Sequence, residues 1–166
     1  MTDVSELIAT TRHIDDLVSL HPDVHRACFE HGTMIGAEDL APDLVRGKLL
    51  SFVFTASHHG VAAPLFRFAS KTFFPPWRGM IFLANGMGGT NVFFGVEFLR
   101  FRCDEGPSVV DDRRCLRLHY GGMGNLWPSE GVFDEVRRLN DHVGIGCTIR
   151  SGAPTLWYGL QLPEGG

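Results

Sequence analysis

The chain is organised around residues 77–103, which read WRGMIFLANGMGGTNVFFGVEFLRFRC. Two apolar, aromatic-rich runs flank a glycine-rich segment at 86–90, a pattern that predicts two antiparallel strands joined by a loop. In the second run, 91–103, apolar residues occupy both faces, although side chains alternate strictly along a strand. A bend or bulge near Phe98 reconciles its two halves, and Gly95 is a candidate for the kink. Long, bent strands of this kind line small barrels.

The composition is that of an ordinary globular protein. The chain has 166 residues, of which 44% are hydrophobic and 20% charged, and one domain of this size needs no disulfide or metal to fold. The formal net charge of -4 gives no basic footprint for nucleic acid. The 13 Phe against 2 Tyr suit a dry core or an apolar ligand, because Phe brings apolar area without a polar group.

The cysteines indicate the cellular compartment. They lie far apart, without a C-x-x-C pair, at Cys28, Cys103, Cys115 and Cys147. The N-terminal stretch 4–20 is amphipathic and acidic, unlike a signal peptide, and no apolar run reaches the roughly 18 residues of a spanning helix. We therefore expect a cytoplasmic protein with reduced thiols and no membrane partner, although two disulfides are arithmetically possible.

Helical periodicity precedes residue 48. A helix is predicted over 3–20, capped by Asp3 with Glu6 completing a capping box. A second helix is predicted over 22–30, with Pro22 at its first position and Gly32 after its end. Residues 37–44 form a helical turn or a loop in this interpretation.

Alternation of period two begins near Lys48 and predicts about seven or eight strands. Beyond the stretch 77–103, strands are expected near 48–55, 65–70, 115–120, 143–150 and 155–162, with a short helix over 133–139. The predicted fold is mainly β with N-terminal helices: a single domain over 1–166, with a helical segment at 1–47 and an antiparallel, lipocalin-like barrel at 48–162. An α+β cone, with three helices against a curved sheet, is the alternative.

Some of these segments resemble a known group. Residues 76–79, Pro-Trp-Arg-Gly, resemble the Trp-containing first-strand signature of the calycins, the lipocalin-like and fatty-acid-binding-like barrels. The order of the segment CLRLHY at 115–120, the helix at 133–139 and the strand LWYGL at 156–160 is similar to small lipocalin-like bacterial domains. The resemblance implies a barrel that binds apolar small molecules, and some relatives catalyse isomerisation or cyclisation.

Glu97 is the first candidate for chemistry. If its row of side chains faces the interior, it is a carboxylate among Phe side chains, where desolvation raises the pKa and favours acid or base catalysis. If the other row faces inward, Glu97 is solvated. Arg100, Arg102, Arg117 and His119 meet across neighbouring strands if the strand of Phe98 pairs with that of residue 118. A guanidinium there orients Glu97 or binds an anionic oxygen of the substrate, and the alternative is a solvated charged face.

Aromatic residues complete the predicted site. Tyr120 and Tyr158 are either core residues with tethered hydroxyls or proton donors in a pocket. Trp77, Phe93 and Trp157 are predicted to shape the substrate site.

Metal and nucleotide sites are not expected. His21, His25 and Cys28 have helical spacing, but His21 precedes a proline and no second ligand set matches it. His58 and His59 are interpreted as a solvated loop. The glycine-rich segments at 86–90 and 121–125 lack the residues of a phosphate loop. We predict no cofactor.

Two functions remain open. The first is a cofactor-independent enzyme that isomerises or cyclises an apolar small molecule, with Glu97, His119, Tyr120 and Tyr158 in catalysis. The second is a carrier with the same fold, and a homodimer is possible for either. Converging polar groups in the cavity favour the enzyme, and a purely apolar lining favours the carrier.

Overall fold

The computed structural model describes residues 3–18, 20–40, 42, 44–53, 77–125 and 130–163. In these residues eight antiparallel strands pair in sequence order, and the last pairs with the first to close a barrel. The strands are β1 (Leu44–Phe52), β2 (Trp77–Phe82), β3 (Gly88–Phe93), β4 (Val96–Pro107), β5 (Arg114–His119), β6 (Val132–Arg138), β7 (Val143–Arg150) and β8 (Ala153–Gln161). The prediction of a mainly β antiparallel barrel is confirmed. The α+β cone is wrong, because the closed sheet leaves no open face for helices to cover.

The segment 91–103 is a hairpin, not the single strand that was predicted. It is divided between β3 and β4 by a two-residue turn at Phe94 and Gly95, whose φ angles are 52° and 82°. Positive φ at both central residues is the geometry that joins twisted antiparallel strands tightly, and glycine adopts it without strain. Gly95 therefore reverses the chain here rather than bending one strand.

The bulge predicted near Phe98 is confirmed one residue further on. Asn91 pairs with Phe98 whereas Thr90 pairs with Arg100, so Leu99 is an extra residue in β4. Its φ is 61°, as expected where the ladder is interrupted. The bulge exchanges the inward row of side chains, so that Phe98 faces the interior before it and Phe101 after it.

The helix predicted over 133–139 is wrong, because residues 133–138 belong to β6. The helical spacing of the apolar residues there is coincidental. In the strand, Val136 and Asp134 point into the barrel, while Glu135 and Arg137 are buried on the outer side. A segment buried on both faces does not show the simple alternation of a half-exposed strand.

The N-terminal helices pack against the outside of the barrel. The single helix predicted over 3–20 is divided into α1 (Val4–Thr10) and a 3₁₀ helix at Ile14–Leu17. Asp3 caps α1 as predicted by accepting a hydrogen bond from the Ser5 backbone N–H, at 2.9 Å. The second helix, α2 (Pro22–His31), begins at Pro22 as expected and is followed by Gly32. A 3₁₀ turn at Glu38–Leu40 follows, and β1 begins at Leu44, earlier than the expected residue 48.

A buried guanidinium fastens α2 to the barrel. Arg137 is fully buried and binds both oxygens of Asp111, each at 2.7 Å. It also donates to the carbonyl groups of Phe29 and Arg113, and it lies 4.5 Å from the centre of the Phe29 ring. This one side chain links α2, the β4–β5 loop and β6.

The interior of the barrel has two parts. Near the β2–β3 turn it is filled with apolar side chains, and Ile35, Ala37 and Leu40 from the segment before β1 belong to this cluster. Towards the β3–β4 and β7–β8 turns it contains a cavity. All four cysteines are free thiols. The predicted strand at 65–70 and the histidines at 58 and 59 lie outside the described residues.

Candidate functional site

The cavity has a volume of about 460 Å³, within the range of small-molecule sites. Phe98 and Arg150 on its lining are exposed, so it reaches the surface. Most of the described lining residues are apolar, and the charged ones are Asp134 and Arg150. The described lining consists of Leu49, Trp77, Met80, Asn91, Phe93, Phe98, Leu99, Tyr120, Val132, Asp134, Thr148, Arg150, Thr155, Leu156 and Tyr158.

Polar side chains converge on Asp134 inside this cavity. Its Oδ2 accepts hydrogen bonds from the hydroxyls of Tyr120, at 2.6 Å, and Tyr158, at 3.1 Å. All three side chains are nearly inaccessible to solvent, with exposed fractions of 4%, 6% and 3% for Asp134, Tyr120 and Tyr158. A carboxyl group this deeply buried is rare unless it is paired or has a function.

The hydrogen bonds of this cluster run in one direction. The Trp77 indole can only donate, and its Nε1 lies 2.9 Å from Asn91 Oδ1. The Asn91 amide nitrogen therefore faces Tyr120, donating to its hydroxyl at 3.3 Å, and Tyr120 directs its own proton to Asp134. The chain Trp77–Asn91–Tyr120 thus orients donors towards the carboxylate.

Asp134 titrates near neutrality despite these donors. Burial raises its pKa from 3.8 to about 6, while the hydroxyl groups of Tyr120, Thr148 and Tyr158 lower it by a smaller amount. Desolvation dominates because a charge is far less stable away from water. Burial and the Asp134 charge also raise the pKa of both tyrosines, which keeps their protons on the hydroxyls.

One oxygen of Asp134 is unsatisfied. Oδ1 is buried and has no hydrogen-bond partner among the described residues. The Thr148 hydroxyl is close enough to lower the pKa of the carboxyl but does not reach Oδ1 with hydrogen-bond geometry. A buried acceptor without a donor costs about 1–3 kcal/mol, so Oδ1 is suited to a donor supplied by a ligand.

A glycine holds Tyr158 in place. Gly146 of β7 pairs directly with Tyr158 of β8, and a Cβ at position 146 would lie 2.3 Å from the tyrosine ring. The ring therefore lies across the bare backbone of Gly146, with Trp77 in edge contact at 5.3 Å between centroids. This packing fixes the Tyr158 ring with its hydroxyl oxygen 3.1 Å from Asp134 Oδ2, so the hydroxyl group changes direction only by rotation about its C–O bond.

Four of the residues predicted from sequence line the cavity. These are Trp77, Phe93, Tyr120 and Tyr158. The tyrosines combine both of the alternatives considered for them, since each is a core residue with a tethered hydroxyl that also faces the pocket. Their roles in binding or catalysis stay predictions.

The carboxylate of Glu97 does not face the cavity, so the solvated alternative considered for it is the one observed, and the catalytic role predicted for it does not fit this site. Glu97 is exposed, pairs with Val92 and lies outside the lining. The reason is the bulge at Leu99, which places the row of Phe98 inward at this point of β4. Arg100 is also exposed and outside the lining, with its backbone bound to the Asn125 side chain.

The remaining predicted residues face outward. The expected pairing of β4 with β5 is present, with Cys103 opposite residue 118. Arg117 binds both oxygens of Asp104, at 2.8 and 3.1 Å, and His119 lies 3.1 Å from the same carboxylate. They form the charged outer face that was the alternative prediction, and their hydrogen bonds go to Asp104 instead of Glu97. Trp157 is buried against Phe29 of α2, with ring centroids 5.5 Å apart, and does not line the cavity.

The helical histidines have structural contacts. His21 caps α2, and His25 is buried between Ser51 Oγ and the Leu17 carbonyl oxygen, at 2.8 Å each. Among the described residues, no group of three or more His, Cys, Asp or Glu side chains is arranged to hold a metal ion.

Sequence reasoning missed the central residue of the site. Asp134, Asn91, Thr148 and Arg150 were not considered, although all line the cavity. A strand reading of 132–138 puts Asp134 on one face with Val132 and Val136, and a single carboxylate in an apolar row was the available signal. This signal was not used because residues 133–139 were predicted to be a helix, in which Asp134 does not share a row with Val132 and Val136.

The structure thus defines a class: a closed eight-stranded antiparallel β-barrel with an apolar cavity and a buried Asp–Tyr–Tyr cluster. No protein-family model matches the chain, and the comparison with curated proteins gives no match. The chain is similar to a crystal structure of a protein from Thermomonospora curvata, with a TM-score of 0.59 and 13% sequence identity over 98% of this chain and 99% of that one. At this identity the likeness supports the fold.

In the parts of the chain that are described, every helix is too short or too polar to cross a membrane.

Proposed function

We propose that the protein is an enzyme that moves a proton on an apolar small molecule without a cofactor, as in isomerisation or cyclisation. The observation that carries this proposal is the Asp134 carboxyl with its two tyrosine donors, placed in an otherwise apolar cavity. An active-site acid or base works best when its pKa is near the working pH, and burial brings that of Asp134 to about 6.

Each residue of the cluster has a role in this proposal. Ionised Asp134 takes a proton from the substrate and returns it at a second position. Tyr120 and Tyr158 stabilise the carboxylate before the transfer. Once Asp134 is protonated it needs fewer donors, so Tyr158 turns its hydroxyl towards the oxygen on which substrate charge develops.

We also propose that the barrel is of the calycin type. Eight strands in up-and-down order with an internal cavity are the arrangement of the lipocalin-like barrels, and Trp77, at the start of β2, lies on the cavity. This likeness concerns architecture, and the proposed chemistry depends on the Asp134 cluster.

A carrier is the second candidate. The observation that favours it is that most of the described cavity lining is apolar. In a carrier the cluster would anchor the polar end of a ligand, and no proton would be transferred.

A probe reaction tests the enzymatic proposal. A base removes the ring C–H proton of 5-nitrobenzisoxazole; the C–H electron pair forms the nitrile, and the N–O bond breaks with its electron pair on oxygen, which opens the ring to a coloured cyanophenolate. We expect the protein to accelerate this reaction, with a rate that rises with pH through the pKa of about 6 and then levels off, because only the ionised carboxylate accepts a proton. A rate equal to buffer at every pH would contradict the proposal.

A further inference from the structure

The cavity has two polar positions that favour different ligand groups, an acceptor in the interior and a cationic residue at the opening. Asp134 Oδ1, in the interior, has no described donor, and Arg150 is an exposed residue of the lining. We infer that the ligand is an apolar molecule with a hydroxyl group at its inner end and an anionic group at its outer end. This inference rests on the proposed function, since it names the substrate class of the same site.

The inner end of the ligand is specified by the geometry of Asp134. Its Oδ2 already accepts from both tyrosines, which leaves Oδ1 as the acceptor to be satisfied. The rest of the nearby lining is aromatic or aliphatic apart from Asn91 and Thr148. The Asn91 amide donates to the Leu99 carbonyl and the Tyr120 hydroxyl, and Thr148 makes no hydrogen bond to Oδ1, so the donor that completes the cluster comes from the bound molecule.

A hydroxyl fits this position better than an ammonium group. A hydroxyl both donates and accepts, so it pairs with Asp134 in the ionised and in the protonated form. An ammonium group only donates, and it pairs with the ionised form alone. Proton transfer requires the ligand to remain bound while Asp134 changes its protonation state.

The outer end of the ligand is specified by Arg150. Thr148 pairs with Asp134 across β6 and β7, and Arg150 is two residues further along β7, about 7 Å towards the β7–β8 turn. Within the described residues Arg150 has no ion-pair partner, unlike Arg114, Arg117, Arg137 and Arg138. A planar guanidinium at this position binds a carboxylate or a phosphate oxygen.

Calorimetry with three matched probes tests the inference on the wild-type protein. The probes are 10-hydroxydecanoate, decanoate, which lacks the hydroxyl, and methyl 10-hydroxydecanoate, which lacks the charge. We expect 10-hydroxydecanoate to bind about 10-fold or more tightly than decanoate, since it satisfies a buried acceptor. The methyl ester is expected to bind several-fold more weakly than the acid, in line with an exposed ion pair. Decyl phosphate against decanoate then distinguishes the two kinds of anion.

Two variants assign the preferences to their residues. Asp134→Val should remove the preference for the hydroxyl, and Arg150→Gln, on the exposed rim, should remove the preference for the acid over its ester. Equal binding of decanoate and 10-hydroxydecanoate by the wild type, or no binding of any probe, would overturn the inference without recourse to a variant.

The outcome is separable from that of the probe reaction. If 5-nitrobenzisoxazole is turned over through Asp134 but the hydroxyl preference is absent, the ligand class is wrong and the enzymatic proposal stands. If the hydroxyl preference is present and the probe is not turned over, the ligand class stands and the protein is a carrier.

Discussion

The Asp134→Asn variant is expected to lose 5-nitrobenzisoxazole turnover by about 100-fold or more, the usual effect of removing a positioned acid or base. The amide keeps the shape of the carboxyl group and can still accept from Tyr120 and Tyr158, so the cavity should persist. It cannot take a proton at any working pH. The measurement is the initial rate at neutral pH, where wild-type Asp134, with a pKa of about 6, is mostly ionised.

The matched control is Glu97→Gln, which makes the same chemical change at an exposed carboxylate on β4. Its rate should equal that of the wild type. If both variants lose the activity equally, or if Asp134→Asn keeps it, the base is not Asp134 and the site described above is not the catalytic one.

The second large effect concerns stability. Arg137→Met is expected to reduce the free energy of unfolding by roughly 3–5 kcal/mol, as is usual when one partner of a buried ion pair is removed. Asp111 loses both of its 2.7 Å hydrogen bonds, and the carbonyl groups of Phe29 and Arg113 lose a donor. Urea unfolding at neutral pH, followed by circular dichroism, measures the change.

Arg114→Met provides the comparison. Arg114 pairs with Glu105 on the surface, with exposed fractions of 71% and 45% for the two side chains, and such pairs contribute about 1 kcal/mol or less. A loss of similar size in both variants would mean that the buried network does not fasten α2 to the barrel in the way the contacts imply.

The fold was largely accessible from the sequence because strand periodicity is a local signal. The segment 143–150 was predicted with the bounds that β7 has, and Pro22 predicted the start of α2 correctly. The β3–β4 hairpin was missed because its turn consists of Phe94 and Gly95, and Phe is not typical of a turn position with positive φ. The bulge itself was predicted, since two apolar rows cannot both face the core.

The site was less accessible because it depends on which row faces inward. Glu97 and Asp134 are each a carboxylate among apolar residues in the sequence. The extra residue at Leu99 turns Glu97 outward, whereas the regular register of β6 with β7 turns Asp134 inward. Tyr120 follows β5, Asp134 lies on β6 and Tyr158 lies on β8. Their convergence depends on the pairing and inward orientation of these strands, which no local pattern in the sequence specifies.

The most direct test of the account is the titration of Asp134 in the folded protein. Carbon-13 NMR of the side-chain carboxyl groups, with the Asp134 signal assigned by its absence from Asp134→Asn, follows its protonation as a function of pH. The account predicts a midpoint near 6, raised by burial from 3.8. A midpoint at or below 3.8 would contradict it, because the carboxyl would then be solvated or fully compensated and unsuited to exchange protons near neutral pH.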